Sequence, residues 1–483
     1  AMDLQGSAAG GTRCSVYYDG EFYDNVYIEV RGNSTASLKK KSHALRFNKG
    51  YEFRHPQSTS SSDRVRKTSF ISEYQDPSYL RQYLSFWLVR QAGAYAPFDY
   101  PVRLQMNQGS ANYASFYQVA FHSQRLTDEL LETYGLDKNG ELYKNVGVVN
   151  TNYFSTGGFE KKTPVEWIPN VTTTLVAAVV NSNYLRLASG VSTSKSVAER
   201  RSLLCNECDI PALVNYLAYS RLAQENDDVW ANLCLYYDIN GTKQWIPLAY
   251  DRNNSWGSYF KEYGYSNDGE IATIDAFKCH PFYGGTTIIV SGGTSGNFLF
   301  EALLAQPDMR AMLTRRMRTL LDRHFLGLEA NAETTPLALE LRRMQALLLA
   351  DTLLDRAKWG FPYSAANYNW GTADIYLEEG ISNLINNYIV PRRRHFLLTH
   401  ALTNTARATG YGVNLSAGMP PAQRPADEEL LAFDQCDFNP ASGNQEEEYL
   451  RLTNRGVYAV DLSNWKIKGG ISFSFAPGTV IPA

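Results

Sequence analysis

Apolar residues alternate with polar ones along the first quarter of the chain and recur at helical spacing along most of the rest. This change of period divides the sequence before any single residue does. Val16-Tyr17-Tyr18, a turn at Asp19-Gly20, and Val26, Ile28 and Val30 before Arg31-Gly32-Asn33 predict a hairpin. A basic cluster, Lys39-Lys40-Lys41, then runs into a short strand, Ser42 to Phe47, and His55 to Asp63 form a polar loop. Asp76 as cap and Pro77 in the first turn open a helix that carries Leu80, Tyr83, Leu84, Trp87 and Leu88 and stops at Gly93. Strands follow at Val102 to Met106 and Phe116 to Phe121, so that residues 12–125 read as a mostly β lobe with one helix.

From Thr127 onward helices dominate, at Ile210 to Leu222, Phe298 to Leu326, Leu337 to Trp359 and Ile381 to Leu397. Their Leu and Met stripes have the spacing of a packed core face and carry no chemistry. One hairpin interrupts them: Leu233, Leu235 and Tyr237 alternate, Asn240-Gly241 turns, and Trp245 to Tyr250 returns. Asn404 to Arg424, rich in Gly, Ala and Pro, reads as a linker. Beyond it Tyr449 to Leu452, Ala459 to Leu462 and Ile471 to Phe475 are short strands that begin a small all-β, immunoglobulin-like sandwich. The fold class is α+β.

Composition narrows the function. A chain of 483 residues with 44% hydrophobic and 13% aromatic content has room for two or three packed domains. Its net charge of −3 exerts no general pull on nucleic acid or anionic membrane. The runs Arg315-Arg316-Met317-Arg318 and Arg392-Arg393-Arg394 read as solvated helix faces. There is no apolar run of 18 residues and no recognisable signal peptide. The six cysteines are too few and scattered for a disulfide scaffold. Cys205-x-x-Cys208 lacks a second pair at zinc spacing, which leaves a local disulfide or two free thiols.

The chemistry concentrates between Asn226 and Gly257. Asp227 and Asn232 stand in the order D-x-x-x-x-N ahead of the hairpin, and its return strand delivers Asp251 where the apolar run stops. Protein kinases use this arrangement: one Asp positions the acceptor hydroxyl, an Asn five residues on holds magnesium, and an Asp after a short hairpin holds metal on the phosphates. The competing reading is structural, with Asp and Asn capping a helix and a turn. The Lys40-Lys41 pair is equally open. A lysine there could meet α- and β-phosphates, or could guard a solvated edge strand against aggregation.

Five segments in one order carry a resemblance. They are Arg31-Gly32-Asn33-Ser34 followed by Lys40-Lys41-Ser42, Asp76-Pro77-Ser78-Tyr79-Leu80-Arg81, Glu141-Leu142-Tyr143-Lys144, Asp227 to Asn232, and Ile246-Pro247 to Asp251. Together they resemble the spore-coat protein H (CotH) kinase family of atypical kinases. The tail, with Val460 to Trp465 and Ala476 to Pro482, resembles the first half of a lamin-tail domain. The resemblance implies an atypical kinase domain over 12–403, with a β-rich N-lobe to about 125 and a helical C-lobe from about 126, a linker over 404–432, and a partial lamin-tail domain over 433–483. It makes Asp227 the catalytic residue, Asn232 and Asp251 the metal ligands, and Arg31, Lys144 and one of Lys40 or Lys41 the nucleotide-binding cations. ATP with Mg²⁺, or Mn²⁺ in its place, is the implied cofactor set, and Ser/Thr hydroxyls of a secreted or surface protein are the implied acceptors. Nucleic acid and an integral membrane segment are not expected. Two departures stand out: Phe121 where relatives place Glu, and Ala249-Tyr250-Asp251 where they have Asp-x-Asp. The alternatives are a catalytically weak kinase-like surface adhesion protein and, last, a metal-dependent hydrolase, for which the motif supplies no nucleophile.

Overall fold

The computed structural model of the chain describes residues 10–32, 34–55, 64–107, 114–145, 159–164, 182–225, 227–257, 280–288, 296–361, 374–407 and 418–483. Asn33, Asn226, Cys279, most of the expected polar loop (56–63) and part of the expected linker (408–417) lie outside the described residues. The first hairpin is built as its sequence predicts. β1 (Thr12–Tyr18) and β2 (Glu21–Arg31) pair from Tyr18 opposite Glu21. Asp19 and Gly20 between them both take left-handed backbone, φ 46° and 84°, which matches a two-residue turn to the strands' own twist.

β3 (Ser42–Arg46) adds to β2, and after the small ladder of β4 (Phe53–Arg54) and β5 (Arg64–Val65) come β6 (Lys67–Ile71), β7 (Asp99–Met106) and β8 (Ser115–Gln124). The result is an antiparallel six-stranded sheet in the order β1-β2-β3-β6-β8-β7. Tyr23, Val26, Phe47, Phe53, Phe70 and Ala120 form a core of its own on that sheet. A second sheet of β9 (Glu141–Asn145), β10 (Phe159–Thr163), β11 (Cys234–Tyr237) and β12 (Trp245–Leu248) runs β10-β9-β11-β12. The β11–β12 hairpin turns later than expected. Asp238 N–H reaches Gln244 O at 3.2 Å, and the Asp238 carboxylate gathers the Gly241 and Thr242 amides at 3.2 and 2.8 Å, so an Asp-centred loop replaces the two-residue Asn-Gly turn.

The helix Ile210–Leu222 has the predicted bounds, with Asp209 accepting the Ala212 N–H at 2.9 Å and Pro211 in the first turn. The helix expected over Phe298 to Leu326 is two, Phe298–Leu304 and Pro307–Leu320, because Pro307 lacks the N–H that would continue the first and its ring excludes the preceding turn. The early helix begins at Arg81 rather than at Pro77. Asp76 still serves its start, accepting the Arg81 N–H at 2.8 Å, but Tyr79 at φ 58° breaks the intervening turn.

The expectation of solvated arginine runs fails at four positions, while Arg394 is exposed and Arg318 half-buried. Arg315, Arg316, Arg392 and Arg393 are buried. Each guanidinium donates to a backbone carbonyl, Arg315 to Ala459, Arg316 to Ala92, Arg392 to Arg221 and Arg393 to Phe325, and Arg316 donates also to the Asn215 and Asp461 side chains. A planar, weakly hydrated fork can be buried in this way where an ammonium is harder to bury. Cys205 and Cys208 are separate free thiols, and burial pushes the Cys208 thiol up.

Beyond residue 430 the strands form three two-stranded ladders: β13 (Leu431–Asp437) with β14 (Tyr449–Asn454), β15 (Val460–Asp461) with β18 (Val480–Ile481), and β16 (Lys466–Ile467) with β17 (Phe473–Ser474). This segment is fastened to the helix Pro307–Leu320. Asp461 pairs with buried Arg316 at 3.0 Å and Ala459 O accepts from Arg315, while Pro420 and Pro421, just ahead of the segment, accept from Arg318 and Arg315.

Three buried histidines set an acid limit on this fold. Burial holds His122 and His400 down at about 3 and His324 at about 4, against an ordinary value near 6.5. The unfolded chain therefore takes up protons between pH 6.5 and 4 at these positions that the folded chain refuses, so their contribution to stability falls as pH falls through that window, by about 1.4 kcal/mol per unit for each group. Buried Asp99, held up at about 7, and Asp227, at about 6, act in the opposite sense, so the histidine effect is read as a difference: from pH 6.5 to 4.5 His324→Phe is expected to gain melting temperature relative to the parent chain. A difference between the two that stays constant over that interval would contradict this.

Candidate active site

Asp227 follows a tight exit from the helix Ile210–Leu222. Gln224 turns at φ 55°, the Glu225 N–H returns to Ser220 O at 2.9 Å, and the Glu225 carboxylate accepts the Asp227 N–H at 3.0 Å. One helical turn, Asp227–Trp230, then leads to Asn232. Asn232 also has left-handed backbone, φ 56°, which Asn tolerates better than most residues. Its N–H is tied to Asn145 O at 3.0 Å, and the Asn145 N–H returns to Leu233 O at 2.8 Å, so the end of β9 fixes the start of β11.

The two Asn amides clamp one oxygen of Asp227. Asn254 donates at 2.8 Å and Asn232 at 3.3 Å, both to Oδ2, while Oδ1 accepts nothing among the described residues. Burial pushes the Asp227 carboxyl up to about 6, with Asp251 raising it further and the amides pulling it down. The spare carbonyl oxygen of Asn232 is left for another partner. Asp251, where the chain leaves β12, has φ 56° and accepts no hydrogen bond on either oxygen from the described residues. Three oxygen donors that are neither capped nor paired thus collect at one end of the β11–β12 hairpin, an arrangement suited to a hard cation. No group of three His, Cys, Asp or Glu side chains converges among the described residues.

Behind this face lies a buried charge network. Arg252 stands between Glu225 at 3.6 Å and Asp228 at 4.0 Å, and Asp228 is held from the other side by Arg221 at 3.2 Å. Arg252 also donates to Tyr216 in a short hydrogen bond. The residue next to Asp251 is thereby locked to the carboxylate that holds the Asp227 backbone. Sequence reading missed this network, since its members look like ordinary surface charges until burial is known.

The expected cations divide. Arg31 donates to the Tyr250 hydroxyl at 3.3 Å and feels the charge of Asp251, and Lys144 lies 5.0 Å from the centre of the Tyr250 ring. Lys40 lies elsewhere: fully buried, it pairs with Asp355 at 2.7 Å, donates to Ser72 O at 2.7 Å and faces the Tyr79 ring at 5.0 Å. Lys41 donates to Ala36 O at 2.7 Å. Phe121, on β8, is fully buried with its ring 6.3 Å from Tyr83, so the acid that meets Lys40 comes instead from the helix Pro336–Trp359. Ala249 is buried and its N–H bonds Tyr95 O at 2.9 Å.

A search of the curated proteins finds no match. The family model described as CotH kinase protein matches residues 28–348, a span that holds Arg31, Lys144, Asp227, Asn232 and Asp251 together. On that match, which covers well over half of the sequence and carries a kinase-like function with it, the chain belongs to the CotH kinase protein family.

Proposed function

We propose that this chain is an atypical, two-lobed protein kinase that moves the γ-phosphoryl group of ATP to Ser or Thr hydroxyls of a secreted or surface protein. The observation that carries the reading is the state of Asp227: one oxygen clamped by two amides, the other accepting nothing among the described residues, beside an Asp251 that the described residues also leave unpartnered. The clamp fixes the carboxylate so that Oδ1 can accept a proton. An acceptor hydroxyl hydrogen-bonded to Oδ1 gives up that proton as its oxygen bonds to the γ-phosphorus, and the bond from phosphorus to the β–γ bridging oxygen breaks to release ADP. Asp251 and the Asn232 carbonyl would hold Mg²⁺, or Mn²⁺, which when bound neutralises charge on the phosphates. Arg31 and Lys144 would meet the phosphate oxygens, and Arg252 with Glu225 would keep the two carboxylates in register.

Lys40 takes a different role in this reading. Two of its N–H groups are already used on Ser72 O and Asp355 and its charge faces the Tyr79 ring, so it is an anchor for the helix Pro336–Trp359, and Lys41 is tied to the backbone beside it. No helix among the described residues is long and apolar enough to cross a membrane. The test is transfer of label from γ-labelled ATP with Mg²⁺ or Mn²⁺ to casein and to the chain itself, followed by phosphoamino-acid analysis. Phosphoserine or phosphothreonine is expected. A melting temperature raised by MgATP without any transfer would favour the surface-adhesion reading, because a ligand of the native state must stabilise it whether or not it reacts. Neither transfer nor stabilisation would remove the kinase reading.

A further inference from the structure

Two helices hold the segments that carry Asp227 and Asp251, and the C-terminal part of the chain touches the ends of both. The helix Ile210–Leu222 runs into the turn before Asp227. The helix Arg81–Gln91 braces the residues after Asp251: Ser85 Oγ accepts the Trp256 indole N–H at 2.8 Å and lies 3.0 Å from Ser255 Oγ, and the Ser255 hydroxyl donates to Arg252 O at 2.6 Å. The Trp256 backbone N–H joins the two segments directly, on Ala223 O at 2.7 Å.

Both helices meet at buried Arg316. Its guanidinium donates to Ala92 O, at the end of the helix Arg81–Gln91, and to Asn215 Oδ1, both at 2.8 Å, and the Asn215 amide donates to the same Ala92 carbonyl at 2.8 Å. A helix end presents carbonyls that lack donors and carries a partial negative charge, so a cation there answers both needs. Asp461 takes the remaining arm of the guanidinium at 3.0 Å. Asp461 accepts the Ser463 N–H at 2.9 Å, and Ser463 Oγ accepts the Gly478 N–H at 2.9 Å. Pro477 and Gly478 then wedge against both helices. A Cβ on Gly478, φ 89°, would stand 2.1 Å from Pro211 O, and one on Gly93, φ 76°, would stand 2.6 Å from the Pro477 ring, so only glycine admits these approaches.

We propose that the C-terminal segment is part of the frame of the active site, with Asp461 and Arg316 as positioning residues. Through Arg316 and the Pro477–Gly478 wedge it fixes the helix that presents Asp227 against the helix that braces the Asp251 loop. The proposal rests on the kinase reading for the reaction that the frame serves. Phosphoryl transfer depends on alignment more steeply than binding does, because a displacement of about 1 Å remote from the chemistry can cost about 10²-fold in rate.

The test is kcat for label transfer from γ-labelled ATP with Mg²⁺, measured well below each melting temperature, in the full chain and in Gly478→Ala, Gly93→Ala, Asp461→Asn and Gly443→Ala. Gly443 is the control: it belongs to the same segment and has φ 75°, but space is open where its Cβ would stand, so alanine strains the backbone there and presses on no helix. Gly478→Ala and Gly93→Ala are expected to lose roughly tenfold or more in kcat, a fraction of the cost of a full misalignment. Asp461→Asn keeps the shape and removes the charge, so it should lose less. Gly443→Ala should melt lower and transfer as the parent does. A structural role alone would lower melting temperatures in all four and move kcat in none. Amide hydrogen exchange gives a reading independent of transfer, since it reports local opening. The Glu225 and Trp256 amides, bonded to Ser220 O and Ala223 O, should exchange faster in Gly478→Ala and not in Gly443→Ala, while those of the β1–β2 hairpin stay as they are. If the parent transfers phosphate and Gly478→Ala, Gly93→Ala and Asp461→Asn all keep its kcat, the frame is wrong and the kinase reading stands. If the parent transfers nothing but exchange changes as expected, the frame stands and the kinase reading falls. Parent-like exchange without transfer overturns both. Should Gly478→Ala not fold, Asp461→Asn carries the comparison in both measurements.

Discussion

Asp227→Asn is expected to bind MgATP as the parent does and to lose turnover by roughly 10²–10⁴-fold, the contribution of a positioned proton acceptor. The substitution is isosteric. Its amide oxygen can still take the hydrogen bonds that Asn254 and Asn232 now give to Oδ2, so the local structure has no reason to move. What changes is the other position, where an NH₂ group replaces the open Oδ1 and presents donors to a hydroxyl that needs an acceptor. Asp251→Asn differs in kind. It removes the negative charge from the oxygen pair that nothing among the described residues satisfies, so Mg²⁺-dependent ATP affinity should fall together with rate, while ATP binding without metal should not. Titration of MgATP into both variants, beside label transfer, separates the roles. Equal loss of binding in both would make Asp227 a metal ligand, and parent-like transfer by Asp227→Asn would remove it as the proton acceptor.

These two carboxylates were legible because their signal is local. D-x-x-x-x-N, an alternating segment and a carboxylate at the end of the return strand all lie within one hairpin, and short-range pattern specifies a hairpin well. The role of Asn254, three residues beyond Asp251, was not legible in the same way, since its clamp on Asp227 spans 27 positions. The arginines were misread for a related reason. Arg315, Arg316, Arg392 and Arg393 sit in amphipathic stretches, where charge normally marks the solvated side. Here the carbonyls that satisfy them belong to segments far away in sequence, Ala459 for Arg315 and Arg221 for Arg392. Helix boundaries failed where backbone overrode propensity, at Tyr79 with its positive φ and at Pro307.

Lys40→Met is expected to destabilise the fold by about 3–5 kcal/mol, the usual cost of leaving one member of a buried ion pair behind, and to leave MgATP affinity unaltered well below the melting temperature. Burial lowers the Lys40 ammonium to about 8, so it is still charged at pH 7 and pairs with Asp355 as an ion. Asp355 is as buried as its partner, and it also accepts the Tyr79 hydroxyl at 2.8 Å and the Val119 N–H at 2.9 Å. One side chain of the helix Pro336–Trp359 thus ties down the segment before β3, the turn before the helix Arg81–Gln91, and β8. Methionine fills the lysine's volume but abandons the Asp355 charge in a place without water, and that stranded charge, rather than a lost contact, is the source of the cost. Lys40→Met with Asp355→Asn removes both charges and keeps an oxygen for the Val119 N–H, so it should recover most of the stability. Melting temperatures of the two variants, with MgATP titrations at low temperature, decide the matter. A Lys40→Met protein that melts like the parent but binds MgATP poorly would return Lys40 to the phosphates and make Asp355 the acid that positions it.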